Sequence, residues 1–345
     1  MKINRLNLIR DMNKVLPGIA TGTVILENAD TVVFNNGHLY SYNSSVSVDA
    51  TVPYLSELKG MVKGMDFYNC LSKLPGDDID MEIADSALVI SAGKIKLRIK
   101  LLPEGNVFER FDSLAPSGEW IDIDGDDFRK SLGICNMPKN SSKYAGIHFR
   151  DGIVLSTDGY ALNRVMSKNK YPVCWIDNRA VAELMKWDDF VGMQLNKAWL
   201  QLKSSDGMVF SVRTLDGSSC PYDSIFEVLQ YGVEASPIMT GKFTEEFYQA
   251  AERASLLSGE AEGHQVIELS VGPEGSVVSS ERMSGSYEED IPGIVSDVPI
   301  KLKLDTQMVI GCRKYFSDFK IIERRENKNV VLEEGGSMKM FSAIR

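Results

Sequence analysis

The chain has 345 residues, of which 43% are apolar and 25% charged, and its formal net charge is −10. That length exceeds one ordinary hydrophobic core, so about two or three domains are expected; the composition is that of a soluble globular protein, and no apolar run reaches membrane-span length. A negative charge spread evenly would argue against nucleic acid as a partner.

The first residues, MKINRLNLIRDMNKVL, are charged and amphipathic and lack the apolar stretch of a signal peptide. Asn4 is a candidate N-cap for a helix with Leu8, Met12 and Val15 on one face. A meander follows, with strands expected at Thr23 to Leu26, Val32 to Phe34 and Leu39 to Tyr42. Asp66 then caps a helix carrying Phe67, Cys70, Leu71 and Leu74. A second meander runs through Ile79 to Ile83, Leu88 to Ser91 and Ile95 to Ile99, with a turn at Gly93-Lys94. Leu101 to Leu114 reads as a joint rich in loop formers. Asp126 caps a third helix with Phe128, Leu132 and Cys135 inward.

Gly146 to Arg164 (GIHFRDGIVLSTDGYALNR) organises the middle of the chain. Ile147 and Phe149 alternate with polar neighbours, and Asp151-Gly152 favours a two-residue hairpin turn because glycine tolerates positive φ. Ile153 to Ser156 is the returning strand. Thr157-Asp158-Gly159 breaks it and presents Thr157, Gly159, Tyr160 and Leu162 beside one another. Asp177 caps a fourth helix with Val181, Leu184 and Met185, and Tyr222 to Ser236 reads as a second joint. Thr244 caps a fifth helix, with Phe243, Phe247, Ala250 and Ala254 on one side. Strands follow at Val266 to Val271, Ser276 to Ser280 and Tyr287 to Glu289. Asp305 caps a sixth helix, with Val309, Cys312, Phe316 and Phe319.

The six caps recur about every 60 residues, a repeat signature despite dissimilar sequences. Strands clustered between single helices imply an α+β fold with antiparallel sheets. Two such units per domain divide the chain into residues 1–112, 113–232 and 233–345.

The charge is uneven. The helical segments together carry about +3, which leaves about −13 on everything else. The five cysteines (Cys70, Cys135, Cys174, Cys220 and Cys312) are far apart and contain no Cys-x-x-Cys pair, as expected for reduced thiols in a cytoplasmic protein. The three histidines have no ligand-spaced partner, and nucleophile-elbow, phosphate-loop and dinucleotide motifs are absent. Neither a metal nor a cofactor is expected. An enzymatic alternative would rest on Asp122, Asp124 and Asp126, although acidic runs at strand ends are more often solvated than catalytic.

Several segments, in order along nearly the whole chain, resemble the bacterial DNA polymerase III β subunit, the replication sliding clamp. DFYNCLSKLP with SAGKIKLRIKLLP looks like the end of that family's first domain. STDGYALNRV looks like its A-T-D-G-H-R-L segment, RTLDGSSCPY like its L-I-D-G-x-F-P-D-Y segment, and FYQAAERASLLSGE like its third-domain helix. Tyr160-Ala161 replaces the family's His-Arg, Ser219-Cys220 stands where Phe precedes Pro221, and the tail MKMFSAIR lacks the M-P-M-R-L ending. The resemblance is thus to a divergent member, of the kind a phage would encode.

The resemblance implies three tandem clamp domains, each of two helices on antiparallel sheets, and a head-to-tail homodimer forming a six-domain ring with twelve helices around duplex DNA. The channel would be lined by Arg5, Arg10, Lys14, Lys73, Arg129, Lys130, Lys139, Lys143, Arg179, Lys186, Arg253, Arg313 and Lys314, with Lys320 nearby. Lys96 and Leu97 on one edge strand would meet Leu256 and Leu257 to close the ring. A pocket for short motifs of polymerases and other partners would be built from Tyr144, Thr157, Gly159, Tyr160, Ala161, Leu162, Pro221 and Ile225, with Met340, Ser342 and Ile344 from the tail. Implied partners are double-stranded DNA, a replicative polymerase, a clamp loader and a second copy, in a bacterial cell or phage-infected host, with no membrane. The alternative from the same fold is a protein that does not encircle DNA and acts as a decoy for clamp-binding partners.

Overall fold

The computed structural model describes residues 1–21, 26–136, 146–216, 222–261, 264–325 and 327–344. The strand expected at Thr23 to Leu26 falls almost wholly outside them, as do Lys139, Lys143, Tyr144, Cys220 and Pro221. Eight α-helices occur among the described residues: α1 Arg5–Val15, α2 Gly64–Lys73, α3 Val107–Leu114, α4 Gly125–Cys135, α5 Asn178–Leu184, α6 Tyr222–Glu234, α7 Glu245–Ser255 and α8 Thr306–Ile310.

The expected caps hold at four helices. The side chains of Asn4, Asp177, Thr244 and Asp305 each accept a hydrogen bond from the first-turn N–H groups of α1, α5, α7 and α8. Asp66 and Asp126 are not caps. α2 starts directly from the strand Gly60–Lys63, so Lys63 occupies the N-cap and Asp66 falls in the first turn. There its charge still complements the helix dipole. Asp126 likewise lies inside α4. α8 is shorter than expected: it stops at Gly311, and Phe319 sits on the strand Asp318–Arg324. Both joints are helical, as α3 and α6.

The chain forms two compact units, Met1–Asp126 with Asn169–Leu215, and Asp127–Lys168 with Asp216–Arg345. Main-chain pairing explains why the units cut across the expected domain joints. Strand Val46–Thr51 pairs with Val209–Arg213, and Ala161–Met166 pairs with Ser337–Ser342, each joining distant parts of the sequence into one antiparallel sheet.

In the first unit the large sheet runs Gly60–Lys63, Thr31–Asn35, His38–Tyr42, Val46–Thr51, Val209–Arg213, Trp199–Ser204, Phe190–Asn196 and Ile121–Asp122. One face packs on α2 through Phe34 and Phe67, whose ring centroids are 5.4 Å apart. The opposite face carries α3, with Val107 and Phe111 on Val33 and Met61. A second sheet of Lys2–Asn4, Asp78–Ala84, Ala87–Ala92 and Ile95–Lys100 ends in the last strand as an open edge.

The second unit repeats this plan. Its large sheet includes Gly146–Arg150, Ile153–Thr157, Ala161–Met166, Ser337–Ser342, Asn327–Glu334, Asp318–Arg324 and Met239–Lys242 in that order. The Asp151-Gly152 turn forms as expected, with φ of 42° and 80°, which glycine adopts without steric cost. α4 packs on one face through Phe128 and Phe149. α6 packs on the other, burying Ile225 and Leu229 against Leu155, Ile322, Val331, Met338 and Met340. Each fully buried aliphatic side chain there contributes about 2 kcal/mol of transfer free energy. Gly232 lets α6 approach closely, since a Cβ there would stand 2.8 Å from Met338 Cε. The smaller sheet comprises Gly259–Ala261, His264–Gly272, Gly275–Arg282 and Gly285–Ile291, with Ile300–Asp305 also paired to His264–Gly272.

Burial of His148 has a measurable consequence. Its side chain is 4% exposed on the strand Gly146–Arg150, and burial lowers its pKa from 6.5 to about 4. As pH falls, the unfolded chain takes up this proton first. The contribution is therefore fully present above pH 6.5 and is lost between 6.5 and about 4, by up to ~3 kcal/mol. Urea midpoints measured from pH 7.5 down to 4.5 should fall more steeply for the native protein than for His148→Gln. Parallel profiles would exclude His148 as a source of acid sensitivity.

Candidate functional surfaces

The expected pocket residues that are described all lie in the second unit. The turn that follows strand Ile153–Thr157 is held by its own side chains. Thr157 Oγ1 accepts from Gly159 N at 3.0 Å, and Asp158 Oδ1 accepts from Tyr160 N at 2.9 Å and Ala161 N at 2.8 Å. This fixes Tyr160 with 46% of its surface exposed. Its ring stands edge-on to His264, with centroids 4.6 Å apart. His264 Nδ1 pairs with the Asp305 carboxylate, whose other oxygen caps α8.

Strand pairing sets Leu162 directly opposite Met340. Leu162 is half-buried against the cluster that includes Ile225 and Met340, so these three form one apolar group at the foot of α6. Ala161 is fully buried on the other face of the sheet. Ser342 N donates to Tyr160 O at 3.2 Å and Ser342 Oγ donates to Asn329 Oδ1 at 2.8 Å. Ile344 lies apart from the group, its N–H bonded to Lys303 O at 2.8 Å. Sequence reasoning missed Phe226, Leu229, Met338 and His264. The first two were legible as an i, i+3, i+4, i+7 pattern with Tyr222 and Ile225; the last two depend on pairing between distant strands.

The edge strands Ile95–Lys100 and Gly285–Ile291 differ in character. Ile95–Lys100 has no buried residue: Ile95, Leu97 and Ile99 share one face, while Lys96, Arg98 and Lys100 share the other. Gly285–Ile291 alternates likewise, with Tyr287 and Glu289 on one face and Glu288 and Asp290 on the other. Beside it, Leu256 ends α7 with 73% of its surface exposed, which excludes a core role. The Leu257 methyl groups reach within 3.9 Å of a Cβ built at Gly285, and Met283 at the adjacent hairpin tip is fully exposed.

Most of the expected channel cations are engaged. Arg5 donates to Gly76 O at 2.6 Å and Leu71 O at 3.2 Å, capping the C-terminal end of α2. Arg10 lies 3.6 Å from Asp11. Lys14 bridges Asp206 at 2.5 Å and Asp11 at 3.3 Å. Burial alone would lower the Lys14 pKa, but these two carboxylates raise it; burial would raise that of Asp206, yet Lys14 and its other donors bring it to about 2. Arg179 pairs with Asp177 at 2.7 Å, Lys186 with Glu183 at 2.7 Å, and Arg253 with Glu289 at 2.7 Å. Arg313 joins Glu245 and Glu252, and Lys320 donates to Val233 O at 2.7 Å. Arg129 also has a partner. Among the described residues, Lys73, Lys130 and Lys314 are exposed and make no ion pair, although Lys314 lies over the Tyr315 ring.

Asp122, Asp124 and Asp126 are exposed along a strand end and helix start. Among the described residues no three His, Cys, Asp or Glu side chains are grouped to hold a metal. No described helix is long and apolar enough to cross a membrane.

No protein-family model matches the chain, and no curated protein does either. Solved structures do match, end to end. The DNA polymerase III β chain of Streptococcus pneumoniae superposes with a TM-score of 0.79 at 16% identity, covering 100% of this chain and 99% of that one. The DNA polymerase sliding clamp of Bacillus subtilis gives 0.79 at 16% identity, covering 100% and 98%. A sliding clamp from Bartonella birtlesii, solved bound to griselimycin, gives 0.79 at 15% identity, covering 100% and 99%. The chain therefore has the sliding-clamp fold, as the sequence resemblance implied.

Proposed function

We propose that this protein is a DNA sliding clamp: a non-catalytic processivity factor that encircles duplex DNA and tethers a replicative polymerase. The observation that carries this reading is the likeness to sliding clamps over the whole chain. Two copies join head to tail. The basic face of the Ile95–Lys100 edge meets the acidic face of Gly285–Ile291, and Leu97 packs toward Leu256 and Leu257. A contact between two different surfaces closes into a ring only when its rotation is right, and three clamp domains per chain give six per ring.

Topology then does the work of affinity. A closed ring cannot leave circular duplex without opening, so its contacts with phosphates are weak and indifferent to sequence, and it slides. The ion pairs on the helices suit this: exposed pairs reduce the field of each cation, which among the described residues leaves Lys73, Lys130 and Lys314 as free phosphate contacts. The apolar group of Leu162, Ile225 and Met340 takes short extended segments of the polymerase and other partners, among them a clamp loader. The setting is the cytoplasm of a bacterium or phage-infected host.

A second reading, the decoy, draws on the same ion pairs, because a protein that never surrounds DNA has no need of free cations. Negative-stain electron microscopy separates the two. Class averages of closed six-lobed rings with a hole wide enough for duplex DNA are the expected result. Three-lobed arcs or open crescents would favour the decoy, and compact particles without an arc would exclude the clamp.

A further inference from the structure

We propose that the peptide pocket continues along the C-terminal strand into a lysine-lined cleft that takes the acidic end of an extended, apolar-anchored partner peptide. The proposal rests on the pocket reading above and adds the chemistry of the ligand. The cleft, of about 490 Å³, has Leu302 and Ile344 as apolar walls and Lys301, Lys303 and Lys328 around them.

Three observations converge. The first is continuity. Met340 and Ser342 share a face of the strand Ser337–Ser342, and two residues further on the same chain bridges to Lys303 at Ile344. Met340 belongs to the apolar group under α6, and Ile344 stands in the cleft. Four extended residues separate them by roughly 13 Å, within reach of a single short peptide.

The second is charge. Glu268 is the one carboxylate lining the cleft, and it pairs with Lys301 at 2.6 Å. Glu268 also stands opposite Lys303 in the ladder, but Lys301 is the lysine it bonds. Lys303, which is exposed, and Lys328, which is half-buried, have no carboxylate partner among the described residues. Two ammonium groups in a concave site, uncompensated among the described residues of a chain of net charge −10, select carboxylates.

The third is an unfinished ladder. The strand Ile300–Asp305 pairs fully with His264–Gly272 on one side. On its other side, among the described residues, the bridge between Lys303 and Ile344 is its only link. Main-chain groups left open beyond that bridge suit an added strand, so backbone hydrogen bonds fix the peptide while the lysines read its side chains.

Fluorescence anisotropy on the full-length protein tests this with labelled twelve-residue peptides. Each carries two leucines and a phenylalanine as anchors, with Asp-Glu-Asp or Asn-Gln-Asn placed either before or after them. In one of the two orders, the acidic peptide should bind about tenfold tighter than its amide counterpart at low salt, and the advantage should shrink in high salt. Lys303→Glu with Lys328→Glu should erase the advantage and leave the amide peptide unchanged; the milder Gln pair should reduce it. Equal binding of acidic and amide peptides in both orders would overturn the proposal, as would an acid preference that survives the Glu pair. Loss of the amide peptide in Leu162→Ser upholds the pocket whichever way the lysines answer. Unchanged binding in Leu162→Ser, or no binding of any peptide, would overturn the pocket reading itself.

Discussion

Replacing Leu256 and Leu257 with aspartate should leave a 38.3 kDa monomer in sedimentation velocity, where the proposed head-to-tail ring gives the native protein twice that mass. The leucines sit where α7 ends, beside the open edge Gly285–Ile291, and Leu256 has no reason within the protomer to be so exposed. Losing two buried leucines removes roughly 5 kcal/mol from a junction, and a head-to-tail ring contains two such junctions. Burying an unpaired aspartate there costs more again. Since Leu256 is exposed in the protomer, its substitution should leave the protomer folded, which far-UV circular dichroism would verify.

The charges of the two edges allow a sharper form of the same test. Lys96→Glu with Arg98→Glu should also yield monomers at low salt, because these positions would then face Glu288 and Asp290. Adding Glu288→Lys and Asp290→Lys should restore the dimer. Glu289 is a poor choice for the swap, since Arg253 and Tyr287 already engage it within the protomer. A dimer that survives both the leucine and the charge substitutions would show that these edges do not close the ring.

How legible each feature was in the sequence follows from how local its cause is. The Asp151-Gly152 hairpin and the apolar stripes of α1, α4 and α7 depend on neighbours a few residues away, and the chain states them directly. The joint helices α3 and α6 were hidden by their flanks. Pro103 and Gly105 before one, and Pro221 before the other, read as loop, although Val107 to Phe111 and Ile225 to Leu229 already carry helical spacing. Asp66 misled because a strand running straight into a helix starts it earlier than the first good capping residue, and Asp126 because α4 already begins at Gly125.

The candidate surfaces were less legible, because they are made by pairing at long range. Leu162 meets Met340 across 178 positions, and only the ladder register brings them together. Resemblance could name both residues, but not the α6 cluster that backs them. The ion pairs are similarly hidden: Arg313 finds Glu245, 68 residues away, and Lys14 finds Asp206, 192 away. Counting charge along helices therefore overstated how many cations are free to meet phosphate.

Leu162→Ser combined with Tyr160→Ala should abolish the polymerase stimulation that the proposed clamp gives on a primed circular template while leaving the proposed ring intact. The reason lies in how differently the two units treat the helix at their joint. At α3 the sheet answers with polar groups: Gln194 donates to Gln201, which in turn donates to Leu114 O at the helix end, and Asn196 donates to Ala115 O. Tyr40 stacks on Phe111 at 4.5 Å and closes the apolar part. That arrangement is satisfied internally and offers little to a partner. At α6 the sheet answers with Leu155, Val331, Met338 and Met340, and Leu162 and Tyr160 remain partly open at the margin. An incoming apolar side chain can complete this second joint. Removing a central leucine anchor and an aromatic wall typically costs about 2–4 kcal/mol each, which weakens a peptide complex by more than a hundredfold. Both side chains are half-exposed, so thermal stability should change far less than peptide affinity. The informative comparison is primer-extension length against melting temperature and sedimentation on the same sample: full-length products from an intact double variant would mean that partners dock elsewhere on the ring.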